Sequence, residues 1–381
     1  LMVVWSDVGG DARVRREAST LAMAGYDVTV VALRGSVDDA TVLAAQPQEP
    51  QPVPLAGAVG AVGTVRAGVR WLLLPWYIRN DRRRFQRTAA ELARSAGPFD
   101  VVHAHDFDTL PLAERLSSEW GVPLVYDAHE LWMHRVRHGR PTPFRRVLEG
   151  RAERRLGSRA EAVFTVGEEI AEWLRGAYGW SHVRVVRNSA TATGAPVMPG
   201  PPTGLLYAGR VAAGRDLDTL AAAAPALPLP VTVMGPAQTA LATRLARVQN
   251  LSIRPPVPVP DVGREMCSHG VALVLASDGP LSYRWSLPNK LFQAVVSGVP
   301  VVATDLPAQA RLVREHGLGT LYRAGDVGSL VRAVEQVLAG WEAFASAARD
   351  AAPAMTWDVD AAVMLSAYDR LTGSASRGGR P

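Results

Sequence analysis

Short β-rich apolar runs alternate with helical stretches along this chain, and they do so in two series. Between the series lies Ser189 to Thr203, too rich in Thr, Gly and Pro to hold a regular element. A repeated strand–helix alternation builds a parallel sheet with helices on both faces, so the expected class is α/β with two such layers. In the first half, strands are expected at Leu1–Val8, Tyr26–Ala32, Phe99–His103, Val122–Asp127, Ala162–Val166 and Val183–Val186. In the second half they are expected at Gly204–Ala208, Pro230–Met234, Leu251–Arg254, Val271–Ala276, Pro300–Thr304 and Gly319–Tyr322. At 381 residues the chain exceeds one ordinary core. The expected division is a first domain over 1–189, a linker over 190–203 and a second domain over 204–356. A last helix, 357–371, is expected to cross back to the first domain, and 372–381 to be a disordered tail.

Charge and composition then narrow the function. The formal charge of +5 is modest, and basic and acidic residues are mixed along most of the chain, so no nucleic-acid stripe is expected. The exception is Arg79, Arg82, Arg83, Arg84 and Arg87, just after Trp71, Trp76 and Tyr77. This aromatic-basic segment, 70–87, reads as a solvated helix face or as a peripheral contact with anionic lipid or an acidic partner. No apolar run approaches the roughly 20 residues that span a bilayer, and the apolar opening strand has no positive residues before it, so no secretory signal is expected. The single cysteine, Cys267, agrees with a reducing compartment. The expected place is the cytoplasm, with a peripheral position at the inner face of the membrane as the variant; the sequence is silent on oligomeric state.

Ligands of parallel sheets bind outside the carboxyl ends of the strands, where helix N-termini present free N–H groups. The residues there carry the chemistry. Gly9 and Gly10 follow the first strand and let a backbone approach a ligand, although a plain tight turn reads equally well. His103 and His105, two apart on a strand, share one side of it. With Asp106, Asp108 or His129 they offer either a metal pair or buried, hydrogen-bonded histidines; no third ligand stands at a recognisable spacing, so no metal is assigned. Asp127, His129 and Glu130 end the neighbouring strand and suit proton traffic or sugar-hydroxyl binding. In the second half, Gly209-Arg210 and then Arg215 stand before a helix, a pair of guanidiniums fit for a diphosphate. Pro288-Asn289-Lys290 opens another helix. Among 41 basic residues Lys290 is the only lysine, and a lysine in a first helical turn opposes the dipole unless an anion compensates it.

Taken in order, these segments resemble the GT-B glycosyltransferases, in particular glycosyltransferase family 4. The resemblance rests on Asp11-Ala12-Arg13-Val14-Arg15-Arg16-Glu17-Ala18 before Gly25-Tyr26-Asp27-Val28-Thr29-Val30, on His103-Ala104-His105-Asp106, on Tyr126-Asp127-Ala128-His129-Glu130-Leu131 and on Gly209-Arg210 with Arg215. Its most specific part is Leu287-Pro288-Asn289-Lys290-Leu291-Phe292-Gln293 running into Ser297-Gly298-Val299-Pro300-Val301-Val302. It implies two facing Rossmann-like domains with a cleft between them, a nucleotide-sugar donor (UDP-, GDP- or dTDP-linked) on the second domain and an acceptor on the first. The acceptor is a small molecule, natural product, glycan or lipid. It also implies transfer with retention of anomeric configuration and no cofactor or metal. Arg210, Arg215 and Lys290 fall where the family holds the diphosphate, His105 matches the histidine near the donor sugar, and Gly10 lies in a glycine loop. Gly9, Gly209, Pro288, Asn289 and Gln293 join the donor set, and Asp106, Asp127, His129 and Glu130 the acceptor or sugar set.

One departure stands out. The family commonly carries Glu-x7-Glu ending in the helix after Lys290, and here the two positions read Trp285 and Gln293. Gln293 can still hydrogen-bond a ribose but brings no charge. Two alternatives follow: a GT-B protein that has lost catalysis and serves as a scaffold, and a GT-B nucleotide-sugar epimerase.

Overall fold

The computed structural model describes residues 1–45, 81–135, 143–191 and 201–373. Residues 70–80 of the aromatic-basic segment, most of the proposed linker and the tail beyond Gly373 lie outside the described residues. The chain divides into two compact units. One is 1–129 with 147–164 and 365–381; the other is 130–146 with 165–364.

The first sheet has seven strands in the order β3-β2-β1-β4-β5-β6-β7. These are β1 Met2–Val3, β2 Thr29–Ala32, β3 Thr41–Ala44, β4 Val102–His105, β5 Leu124–Ala128, β6 Ala162–Thr165 and β7 Val183–Val185. β1 pairs in parallel with β2 and β4, β2 with β3 and β4 with β5, and β4 and β5 are buried throughout, as strands covered on both faces must be. Helices α1 Ala12–Met23, α2 over 81–96, α3 Asp106–Trp120, α4 Pro143–Gly157 and α5 Glu168–Trp173 accompany it. Two differences from the sequence reading matter for function. The chain after β1 is not extended to Val8: it turns into a 3-10 helix, Val8–Gly10, capped by Asp7, whose side chain accepts from Gly9 N–H. And α3 starts at Asp106, directly from β4, so His105 is both last strand residue and helix N-cap. Asp106 takes a left-handed φ of 60° to make that corner, a conformation that aspartate tolerates better than most residues.

The second sheet has six parallel strands in the order β10-β9-β8-β11-β12-β13. They are β8 Gly204–Ala208, β9 Val231–Met234, β10 Leu251–Arg254, β11 Gly270–Val274, β12 Val301–Thr304 and β13 Gly319–Tyr322. All six were expected from sequence, within a few residues. Helices α6 Leu217–Ala223, α7 Thr239–Leu245, α8 Val262–His269, α9 Leu281–Arg284, α10 Asn289–Val296, α11 Pro307–His316, α12 Val327–Ala339, α13 Trp341–Ala351 and α14 Trp357–Thr372 complete the chain. Aliphatic cores lie on each side of this sheet, one around Leu291, Phe292, Val295 and Val301, the other around Leu220, Val233, Leu273 and Val334. At the carboxyl ends of β8 and β9 two glycines pass closely: a Cβ on Gly235, at φ 151°, would fall 2.1 Å from the Gly209 carbonyl oxygen. That close approach fixes the floor from which the next loop departs.

Candidate active site

Within the first unit, the register of β4 on β5 sets His105 opposite Asp127. His103 and His105, on the same side of β4, stack with centroids 4.3 Å apart and planes at 24°. Asp127 is fully buried and receives a two-pronged guanidinium, Arg13 Nε to Oδ2 and Nη2 to Oδ1, both at 2.7 Å. His129 Nε2 lies 2.9 Å from the same Oδ2, and its Nδ1 lies 3.4 Å from Asp106. Burial pulls the His129 pKa down, but Asp106 and Asp127 outweigh it and push it up to about 10. Burial likewise works against the Asp127 charge, yet Arg13 and His129 hold its carboxyl well below the usual range. Asp127 was expected to touch acceptor or sugar. Its position corrects that: both oxygens are taken and no surface is left to a ligand.

The imidazolium form of His129 has a further consequence. Its Nε2–H faces Asp127 Oδ2 at 2.9 Å and His105 Nδ1 at 3.1 Å. His105 Nδ1 itself also lies 3.4 Å from Asp127 Oδ2. Burial keeps His105 uncharged by lowering its pKa. Its Nε2 has no hydrogen-bond partner among the described residues. Asp106 and Glu130, by contrast, are partly exposed; Asp106 accepts from His129 N–H at 3.1 Å, and Glu130 accepts a 3.4 Å contact from Ser282 and lies 3.7 Å from Arg135.

Sequence reasoning missed three members of this network. Glu17, fully buried one helical turn after Arg13, lies 3.0 Å from its Nε, and burial with the Asp127 charge raises its pKa to about 8. Tyr368 Oη meets His103 Nδ1 at 2.9 Å. A charged pair at i and i+4 on the apolar face of α1, beside Val14, Ala18 and Leu21, was the available signal for the first two; nothing local announced Tyr368. Glu17, His103, His105 and Asp127 each offer a metal-ligand atom, all within 4.8 Å of one another. Arg13 Nε lies 3.0 Å from Glu17 and 2.7 Å from Asp127, so both acids of that group already meet a guanidinium. Gly9 and Gly10 are exposed, and a Cβ on Gly10 would meet no atom within 4 Å, so internal packing does not require a glycine there.

The second unit gathers the donor set. Beyond β8 the chain runs through Gly209, at φ 157°, where a Cβ would sit 3.0 Å from Lys290 Nζ. Asp216 stands in the left-handed region at φ 50° and is pinned on all sides. It accepts from Thr219 Oγ1 at 2.7 Å, Tyr322 Oη at 2.8 Å and Gly325 N–H at 3.2 Å, while its own N–H donates to Ser277 Oγ at 3.1 Å. This anchoring fixes Arg215, the residue before it. Lys290, in the first turn of α10, is buried with Nζ 3.6 Å from the centroid of the Tyr207 ring. Burial first, and then the Arg215 charge, hold its pKa well below the ordinary lysine value. No carboxylate pairs with Lys290 among the described residues. Arg215 lies near enough for its charge to act on Lys290. Arg210 is not part of that pair: its side chain is exposed, and only its carbonyl is engaged, accepting from Tyr207 Oη at 3.0 Å. Pro288 caps α10, Asn289 begins it, and Gln293 is half-buried one turn on. Tyr283 packs on Gly214, whose Cβ would lie 3.1 Å from the ring, and Trp285 ends α9.

Two family models match this architecture, "Glycosyltransferase Family 4" over residues 9–190 and "Glycosyl transferases group 1" over 202–340. The chain belongs to the family 4-like glycosyltransferases. It is 27% identical over 323 residues to the D-inositol 3-phosphate glycosyltransferase of Geodermatophilus obscurus, covering 74% of this chain and 69% of that protein. A shorter match, 32% over 90 residues, covers 23% of this chain and 24% of the phosphatidyl-myo-inositol mannosyltransferase of Mycobacterium leprae. Among solved structures, sucrose-phosphate synthase from Thermosynechococcus elongatus superposes with a TM-score of 0.71 at 15% identity, over 98% of this chain and 99% of that one. Anabaena HepE in complex with UDP-glucose gives 0.68 at 14%, over 97% and 99%. These likenesses establish the GT-B fold for this glycosyltransferase.

Proposed function

We propose that this glycosyltransferase takes its sugar from a nucleoside-diphosphate donor, UDP-, GDP- or dTDP-linked, and passes it to an acceptor hydroxyl with retention of configuration and without a metal. The observation that carries the reading is the Arg215–Lys290 pair: a guanidinium acting on a buried amine in the first turn of α10, with no carboxylate paired to that amine among the described residues. A diphosphate supplies the missing charge and restores the lysine proton. As the bond from the anomeric carbon to the donor phosphate breaks, charge accumulates on the departing phosphate oxygen. Arg215, Lys290 and the free N–H groups of α10 stabilise it; one such donor in a dry site is worth about 3 kcal/mol. In front-face displacement the acceptor oxygen bonds to the same face of the anomeric carbon, and its proton passes to the departing phosphate oxygen. In this reading His105 Nε2 is the group for a sugar hydroxyl, and Asp106, His129 and Glu130 are the groups for the acceptor. Asp127 serves by fixing His129. Any association with a membrane is peripheral in this reading, since no described helix is long and apolar enough to cross one.

Thermal-shift screening of UDP-, GDP- and dTDP-sugars identifies the donor, and the inositol acceptors named for the sequence relatives make a cyclitol the first acceptor to try. The anomeric configuration of the product, read by NMR, tests retention, and turnover after exhaustive chelation tests metal independence. Donor incubated alone separates the rivals: epimerised sugar favours the epimerase, and absence of any nucleotide binding favours the scaffold.

A further inference from the structure

Helix α4 turns its two acids away from solvent. Glu153 is buried and accepts from Tyr126 Oη at 2.8 Å; Glu149 is largely buried and lies 3.9 Å from Arg82 of α2. What the helix shows to solvent is Val147, Leu148, Arg151, Arg154 and Arg155. Those positions recur at one helical period and form a single face. Val147 is 45% and Leu148 62% exposed, which places them among the few exposed large aliphatics of the described residues. The Arg82–Glu149 bridge sets the start of α2 beside this aliphatic pair, since Val147 and Leu148 directly precede Glu149. Arg83, Arg84 and Arg87 of α2 are exposed, whereas Arg82 itself is turned in, paired with Asp108 and over the Trp5 and Phe107 rings.

We propose that this surface, the exposed face of α4 with the first turns of α2, docks the protein on an anionic lipid surface. Guanidinium groups match phosphate oxygens in a fork geometry and remain charged throughout the physiological range. Aliphatic tips beside them gain by entering the headgroup–acyl boundary. A nucleic acid would pair with the arginines but would gain nothing from Val147 and Leu148, which offer no ring for a base to stack on. The proposal joins the described part of the 70–87 segment to α4, and it stands independently of the donor-site reading, which uses other residues.

The test is co-sedimentation of the full chain with vesicles of phosphatidylcholine alone and of phosphatidylcholine mixed with phosphatidylglycerol, at low and high NaCl. Binding to the mixed vesicles, absence of binding to the neutral ones and release by salt are expected. At roughly fivefold per arginine near such a surface, each of Arg84→Gln, Arg151→Gln and Arg155→Gln weakens partitioning by about that factor, and the triple variant by about a hundredfold. Leu148→Ser weakens it while leaving the salt dependence unchanged. Thermal melting and nucleotide-sugar binding confirm that the variants are folded, and failure of nucleotide binding in the wild type would touch only the donor reading. No binding to mixed vesicles at low salt, or equal binding by the triple variant, overturns the proposal. Binding of a homopolymeric RNA with no vesicle binding overturns it in favour of a nucleic acid.

Discussion

Replacing Lys290 by methionine separates charge from packing at the proposed donor site, because methionine fills a similar volume without the ammonium. In the free protein, burial and Arg215 hold the lysine pKa well below its ordinary value. A bound diphosphate places negative charge beside it and raises the pKa again. Between the free and the bound values, each donor molecule that binds must bring in a proton, up to one per site. Calorimetric titration in buffers of different ionisation enthalpy measures that number directly. Net proton uptake on donor binding, lost in Lys290→Met, is the expected result. Turnover should drop by about 10²–10³, the cost of losing one preorganised donor to a developing oxyanion.

The same variant has an opposite effect on stability. A base with a lowered folded pKa binds fewer protons folded than unfolded, so stability rises with pH between the folded value and the ordinary 10.5. Lys290→Met removes this burden, so the ligand-free variant should melt higher than wild type at neutral pH, with a flatter dependence on pH. A variant with full turnover, or a wild type that binds donor with no proton uptake, would refute the reasoning.

Three more outcomes follow from the two networks. Glu17 holds its proton up to about pH 8 folded but only to its ordinary 4.5 unfolded, so its contribution is complete below 4.5 and is lost as pH rises through about 8; urea midpoints should fall across that window in wild type and level out in Glu17→Gln. Arg13→Ala strands the buried Asp127 carboxylate and should cost about 3–5 kcal/mol in chemical denaturation, as breaking one side of a buried pair does, with partial recovery when Asp127→Asn is added. Asp216→Ala removes the acceptor for Thr219, Tyr322 and Gly325 and puts alanine at φ 50°, so donor affinity should fall further than in Asp216→Asn, which tolerates that conformation and keeps an acceptor; equal donor affinity in both would remove Asp216 from the site.

What could be read in the sequence depended on how far each feature relied on its neighbours in the chain. The buried parallel strands were legible because a strand covered on both faces must be apolar throughout. Strand β3, Thr41–Ala44, was not: it is the edge strand, half-exposed, and four mixed residues carry no pattern. Helix α13 escaped because Gly340 marks both the end of one helix and the start of the next. Lys290 was legible through rarity and through its place in a first helical turn. Arg210 was assigned by its proximity to Arg215 in sequence, but a loop that pins Asp216 on all sides decides which guanidinium turns inward, and that loop closes through Ser277, Tyr322 and Gly325, distant in the chain.

The two halves handle charge in opposite ways, and this assigns their labour. Around β4 and β5 the ions neutralise one another: Arg13 and His129 balance Asp127 and Asp106, Glu17 keeps its proton at neutral pH, and His103 and His105 are held neutral. Such a network has no net attraction to offer an anion, but its hydrogen bonds orient the His105 ring and leave its Nε2 without a partner among the described residues. Direction is what it supplies. Around α10 the reverse holds: burial and the Arg215 charge disfavour the protonated form of Lys290, and no carboxylate pairs with Lys290 among the described residues to offset them. A site built this way gains most when a dianion arrives, and gains more as the dianion's charge grows. That is the condition for catalysis by differential binding: the transition state, with more charge on the departing phosphate than the intact donor, is bound more tightly than the substrate it comes from.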